Sequence, residues 1–232
     1  MNLAGKIVAV TGATGQVGWG IAHAALDAGA TVVLPVRSEA ARKKVERDFG
    51  KARTSIVTVD FADESSLATM RDATLERFGA IDHVFVPLGS WWQKGASLDQ
   101  PAAELRDLLS AYVEAPWLLV KAFAPALRVS RGSYTFVTGA AGEAEYIPGA
   151  GLFVVAVKAQ LALCGVLRRE LAGEPFRINE IRISRRIERS PRPGVIPSQV
   201  AGAAFVKAVG TNVTGKLLRY DGAQLELDES AD

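Results

Sequence analysis

The eight residues Thr11-Gly12-Ala13-Thr14-Gly15-Gln16-Val17-Gly18 constrain the fold of this chain more than any others. A short apolar run, Ile7–Val10, precedes them and a helical stretch from Trp19 to Leu26 follows. Strand, tight glycine turn and helix start, in that order, are what a dinucleotide site requires. Glycines let the backbone approach a pyrophosphate closely, and the free N–H groups and dipole of the helix start hold the anion. Gly12, Thr14, Gly15, Gln16, Val17 and Gly18 are therefore cofactor-binding candidates.

The rest of the chain repeats the same alternation. β-Branched runs predict strands at Ile7–Val10, Thr31–Val36, Ser55–Val59, His83–Val86, Ser133–Thr138, Arg177–Ile183 and Lys216–Tyr220. Helical patterns fill the gaps at Gln16–Asp27, Glu39–Phe49, Glu64–Phe78, Ala102–Leu127, Leu152–Leu171 and Pro197–Val209. Strands separated by helices pair in parallel, so the expectation is α/β: a Rossmann-like, doubly wound, mainly parallel seven-stranded sheet. No linker rich in proline, glycine or serine divides the 232 residues, which predicts a single domain over 1–232. Ser184 to Pro197 reads as an irregular loop, and the acidic end from Leu227 to Asp232 as frayed.

Composition excludes several function classes. A net charge of +2 gives no strong field toward nucleic acid or membrane. The single cysteine, Cys164, cannot form an internal disulfide and points to a reducing, cytoplasmic setting. The start of the chain enters a strand without a basic-then-apolar leader. The apolar run Gly151–Leu167 contains Lys158 and Gln160 and reads as a buried helix. Its helix is apolar nearly all round, so one face is left in need of cover. Neither His23 nor His83 has a partner at metal-ligand spacing, so no metal site is expected and both read as structural.

The turn, the element order and the length together resemble the short-chain dehydrogenase/reductase family, over nearly the whole chain. Further landmarks carry the resemblance: Val59-Asp60-Phe61-Ala62-Asp63, Thr138-Gly139-Ala140-Ala141-Gly142, Ala156-Val157-Lys158-Ala159, Arg177-Ile178-Asn179, Thr214-Gly215 and Tyr220-Asp221-Gly222. The resemblance implies that Asp60 approaches the adenine ring and that Leu88 and Gly89, after the fourth strand, border the cofactor. It also implies that Lys158 holds the nicotinamide ribose. A homodimer or homotetramer through the helices Ala102–Leu127 and Gly151–Leu167 is implied as well. Val36 stands where an NAD-preferring protein would carry Asp, and Arg37 can meet a 2′-phosphate, which favours NADP(H) and leaves NAD(H) as the second candidate.

The departures from the family pattern bear on chemistry. The catalytic Ser aligns with Gly139, or with Thr138 one residue earlier, and the catalytic Tyr aligns with Val154. The Asn of the fourth helix aligns with Tyr112, and Lys158 is the one family catalytic position retained. Candidate replacements for the proton donor are Tyr146, in a loop expected to overhang the nicotinamide, Tyr112 and Thr138. Ordinary packing is the plainer reading for each. Trp91-Trp92 stand where an apolar substrate pocket or a packed lid would be. The arginines between Arg177 and Arg192 suit an anionic or carrier-linked small-molecule substrate, though a solvated charged loop is the plainer reading. Three functions follow: an NADP-dependent carbonyl or enoyl reductase with a relocated proton donor, a nucleotide-binding partner protein without redox activity, or a lyase or isomerase using Glu143 or Glu145.

Overall fold

The structure is a computed structural model, and it describes residues 1–229. The chain runs β1 (Ile7–Val10), α1 (Gln16–Asp27), β2 (Thr31–Val36), α2 (Glu39–Phe49), β3 (Thr54–Thr58), α3 (Glu64–Phe78), β4 (His83–Val86), α4 (Ala102–Leu109), α5 (Ala115–Ser130), β5 (Ser133–Gly139) and α6 (Gly151–Glu170). It continues through β6 (Arg177–Ile183), β7 (Ile187–Glu188), β8 (Ile196–Pro197), α7 (Ser198–Ala208), β9 (Leu217–Tyr220) and β10 (Leu225–Leu227). The main sheet has eight strands in the order β10-β9-β6-β5-β4-β1-β2-β3, all parallel except the β10 edge.

The Rossmann-like reading is correct, with one strand more than the sequence predicts. The extra strand is β10, which pairs Leu225–Leu227 with Tyr220–Leu218. Its length of three residues and the exposed Glu226 among them mask it in the sequence, on an edge strand whose outer side is solvated. Residues 230–232 of the acidic end lie outside the described residues. The loop expected at Ser184–Pro197 carries the short parallel pair β7–β8.

Helices cover both faces. On one side α1, α2 and α7 bury Ile21, Ala25, Val45 and Phe205 against β1, β2 and β4. On the other, α3, α5 and α6 bury Leu67, Phe123 and Leu167 against Val84, Tyr134 and Ile178. Helix α6 is long and apolar enough to cross a membrane by length and composition, but it packs on the sheet through Cys164 and Leu167. Its outward stripe leaves Val155 and Val166 half exposed.

The expected helix Ala102–Leu127 is interrupted. Residues Ser110–Glu114 form a π turn between α4 and α5, with Ala115 N–H reaching back to Ser110 O. Pro116, in the first turn of α5, explains the break. Its ring lacks the N–H that would bond the carbonyl of Tyr112 and crowds that carbonyl, so the ladder widens. The widened turn carries Tyr112 at the carboxyl edge of the sheet.

Beneath that edge lies a buried charge network. Glu180 on β6 is 0% exposed. Its Oε1 accepts from Thr138 Oγ1 at 2.6 Å, and from Arg182 Nε at 3.0 Å and Nη2 at 2.7 Å. Arg168 of α6 stands 3.5 Å from Oε2. Arg182 Nη1 bonds Glu143 at 2.7 Å, and Arg219 grips the same carboxylate at 2.7 and 3.0 Å while its Nε bonds Asp228 at 2.6 Å. Arg168, Arg182 and Arg219 thus face Glu180, Glu143 and Asp228, a balanced set, which is the condition for tolerating buried charge.

Two consequences follow. Glu180→Leu leaves Arg168 and Arg182 without their shared carboxylate, and urea unfolding should show a loss of about 3–5 kcal/mol. Replacing Arg168, Glu180 and Arg182 together by leucine should recover most of that loss. At the opposite edge, burial lowers the His83 pKa from 6.5 to about 4, and its Nδ1 lies 2.9 Å from Ser133 Oγ. Between those pH values the unfolded chain binds a proton that the folded chain refuses, so acidification destabilises the protein. Thermal melts from pH 7 to pH 5 should fall more steeply for the native chain than for His83→Gln.

Candidate active site

The strand order reverses between β1 and β4, and the glycine turn sits at that switch point. Thr11 ties the turn to β4, donating its N–H to Phe85 O at 3.1 Å. Gly12 has a φ of +63°, and a Cβ there would fall 2.6 Å from Pro87 O. A Cβ on Gly18 would fall 2.4 Å from Gly12 O. Both positions therefore exclude a side chain. Gly15 precedes α1 and donates to Gly12 O at 2.9 Å. The N–H groups of Gln16, Val17 and Gly18 open the helix and have no acceptor within it. With the positive end of the α1 dipole they form an anion cradle. The residues of the turn thus fit a dinucleotide pyrophosphate.

The flanks of the turn hold the other binding candidates. Arg37 is exposed and makes no hydrogen bond or ion pair among the described residues. Asp60 is exposed, and its carboxylate folds back to accept from Ala62 N–H at 2.9 Å. Leu88 packs against the core under α5. Gly89 has a φ of +110°, and a Cβ there would fall 2.4 Å from the Tyr112 ring.

That contact explains Tyr112. Its hydroxyl accepts from Ser90 N–H at 2.7 Å and donates to Ser90 O at 2.5 Å. Burial pushes its pKa up to about 12. Tyr112 is a prop that pins the loop after β4, with its proton committed to a backbone carbonyl.

The remaining catalytic candidates are dispersed. Thr138 is buried and spends its donor on Glu180. Gly139 ends β5 in an extended conformation, and a Cβ there would meet no atom within 4 Å. The edge keeps room for a side chain where the family serine aligns. Val154 is buried in α6, and Lys158, one turn later, is exposed. Although Gly151–Leu167 reads as a buried helix, Lys158 lies at the solvent side of it, so its ammonium carries no burial cost. It makes no hydrogen bond or ion pair among the described residues. Tyr146 is 69% exposed, on the loop whose Pro148 and Gly149 meet Gln93 and Gly95. Glu143 is held ionised, chiefly by the Arg219 guanidinium and also by Arg182, which removes it as an acid.

Two loops meet beyond the ends of β4 and β5. Gly95 N–H donates to Gly149 O at 3.0 Å, and Gln93 Nε2 donates to Pro148 O at 2.8 Å. Trp92 is buried and donates its Nε1–H to Glu104 at 2.8 Å. Trp91 is 60% exposed and lies 5.0 Å from the Phe153 ring. Trp92 is thus packing, while Trp91 is available at the edge. His23 stacks on Phe49 and Cys164 is buried, as structural residues do.

The arginine-rich segment is less available than its sequence suggests. Arg182 is inside the sheet, Arg177 donates to Val209 O, and Glu188 pairs with both Arg186 and Arg192. Arg189 lies on the glycine turn, where its Nη2 is 3.1 Å from Thr14 O. Sequence reasoning missed the Glu180–Arg182 pair, whose signal is an acid and a base two residues apart, hence on one face of a strand. It also missed Lys44, in the second turn of α2 after the N-cap Ser38, whose Nζ donates to Thr14 O at 2.8 Å.

Comparison with known proteins places this geometry. Residues 12–184 match the family described as Enoyl-(Acyl carrier protein) reductase. L-fucose dehydrogenase from Oryctolagus cuniculus is 32% identical over 148 residues, 62% of this chain and 51% of that protein. The match therefore spans about half the length of that relative. An alcohol dehydrogenase from Thermococcus sibiricus, solved with 5-hydroxy-NADP, superposes with a TM-score of 0.80 at 21% identity, covering 96% of this chain and 99% of that one. The enoyl-[acyl-carrier-protein] reductase (NADH) from Aquifex aeolicus VF5 also gives 0.80, at 18% identity over 96% and 97% of the two chains. At these identities the two structures establish the fold alone. By its match over residues 12–184, the chain belongs to the enoyl-(acyl carrier protein) reductase family of short-chain dehydrogenases/reductases.

Proposed function

We propose that this protein binds NADP(H) and reduces a small carbonyl or enoyl compound, with a proton donor relocated from the family tyrosine position. The observation that carries the reading is the glycine turn, where Gly12 and Gly18 leave no room for a Cβ and the α1 N–H groups open on the switch point. The absence of an acid at the end of β2, with Arg37 exposed there, supports NADP(H) over NAD(H). A bound nicotinamide would supply a hydride to the substrate.

This chain's residues supply the rest. Gln16, Val17 and Gly18 hold phosphate, Lys158 serves the ribose hydroxyls, and Trp91 with Phe153 offers an apolar wall to the substrate. Among the four tyrosines, Tyr112 is committed to Ser90, while Tyr134 and Tyr220 are buried in the core. Tyr146 is the exposed one, on the loop after β5, which makes it the proton donor of this reading. The half-exposed Val155 and Val166 on α6, with Trp117 on α5, support a homodimer or homotetramer through these helices. One buried cysteine supports a cytoplasmic setting.

A second reading has its own observation. Val154 is buried where the family acid would stand, and Thr138 and Tyr112 have spent their donors elsewhere. A nucleotide-binding partner or regulatory protein needs the cradle without the acid.

Calorimetric titration with NADPH, NADH and their oxidised forms decides whether the cradle works. Tight NADPH binding is expected, and Lys158→Ala should weaken it by about 1–3 kcal/mol. Unchanged affinity would remove Lys158 from the site. For turnover, Tyr146→Phe should lower kcat by about 10²-fold or more while leaving NADPH affinity unchanged. A fully active variant would exclude Tyr146. NADPH binding without turnover on any carbonyl or enoyl substrate would favour the partner reading.

A further inference from the structure

The strap between β6 and α7 is fastened to the glycine turn by one residue. Arg189 N–H donates to Gln16 Oε1 at 2.8 Å. Its guanidinium places Nη2 3.1 Å from Thr14 O and 3.4 Å from Gly15 O, and Nη1 2.7 Å from Asp48 Oδ2. The same group lies 4.9 Å over the Trp19 ring. From the opposite side, Lys44 Nζ of α2 reaches Thr14 O at 2.8 Å.

Two cations therefore share one neutral carbonyl oxygen. Asp48 is the single acid paired with either, among the described residues. The excess positive charge stands beside the N-terminal end of α1, which adds positive potential of its own. Like charges brought this close repel, and a carbonyl dipole offsets that poorly compared with a full negative charge. Fastening the strap would need only the Gln16 and Asp48 contacts. The convergence of Lys44 on the same oxygen serves no packing purpose, since its side chain is exposed.

We propose that Lys44 and Arg189 are a phosphate-binding cation pair, contributed by α2 and the strap, that transfers from Thr14 O to a phosphate of the dinucleotide. The inference rests on the dinucleotide-binding reading above and extends it to two side chains outside the glycine turn. Phosphate offers each cation a charge-assisted contact in place of a neutral one. The strap then closes over the ligand because Arg189 carries it there.

The test is calorimetric titration of the native chain, Lys44→Met, Arg189→Met and Arg189→Lys with NADPH and with NADH. Each methionine variant should bind NADPH about tenfold or more weakly, and Arg189→Lys should retain most of the affinity. Equal losses for NADPH and NADH place the pair on the pyrophosphate. A loss confined to NADPH places it on the 2′-phosphate, and either result supports the proposal. Affinities within about twofold of the native chain in both methionine variants would overturn it while leaving dinucleotide binding intact. A native chain that binds neither nucleotide would overturn the dinucleotide reading itself, and the cation pair with it. Thermal melts check folding. Should Arg189→Met unfold, Lys44→Met decides, because Lys44 is exposed on α2.

Discussion

The structure depends on the approach of α1 to β1 and β4 at a distance that admits no side chain. Gly18 lies against Gly12 O, and Gly12 against Pro87 O. That close contact sets the angle at which α1 leaves the sheet and aims its first N–H groups into the crevice at the switch point. Everything proposed for ligand binding is measured from this turn. Thr14 and Gly15 present the carbonyls on which the strap rests, and Gln16 holds the strap by its backbone. A methyl group at Gly12 or Gly18 would push apart three elements at once.

The layer below the site is charged rather than apolar. Thr138, Glu180, Arg182 and Glu143 join β5, β6 and the turn after β5, and Arg168 and Arg219 extend the network to α6 and β9. Such a network rewards one geometry and penalises others, because any displaced member leaves a buried charge unpaired. It holds the end of β5 in place, which keeps Gly139 facing open space. The same network withdraws Thr138 and Glu143 from proton transfer. Fixing the floor of the edge and emptying it of acids are one event here.

The fold was legible because its signals are local. Ile7–Val10, the glycine turn and α1 follow from residue order alone, and Ser38 and Asp63 mark the starts of α2 and α3 by capping them. Local patterns failed where long-range contacts decide. Pro116 is a tolerated first-turn residue in isolation, yet it widens the preceding turn and carries Tyr112 onto Ser90. Strand β10 is hidden by its brevity and by Glu226, an acid that an edge tolerates. Lys158 looked buried because its neighbours are apolar, but one stripe of α6 faces outward and Lys158 is on it. The pairing of Lys44 with Arg189 joins residues far apart in sequence, and no spacing rule reaches it.

Charge accounting along the carboxyl edge shows where an anion can be met. Arg168, Arg182 and Arg219 are matched by buried or half-buried acids, and Arg186 and Arg192 share Glu188. Arg185 rests on the carbonyls of Gly194 and Asp221. The basic segment that suggested an anion-receiving lid is thus mostly spent on holding itself and the sheet. Arg37, Lys158 and Lys44 have no acid partner among the described residues and Arg189 has Asp48 alone; they come from the loop after β2, from α6, from α2 and from the strap. The last two meet at the glycine turn, where the helix dipole already favours an anion. Lys44 and Arg189 thus bring positive charge to the glycine turn, while the loops at Gly95 and Gly149 meet through neutral contacts. For the dinucleotide proposed above, such a distribution favours a grip at the phosphates, whether or not the edge transfers a proton.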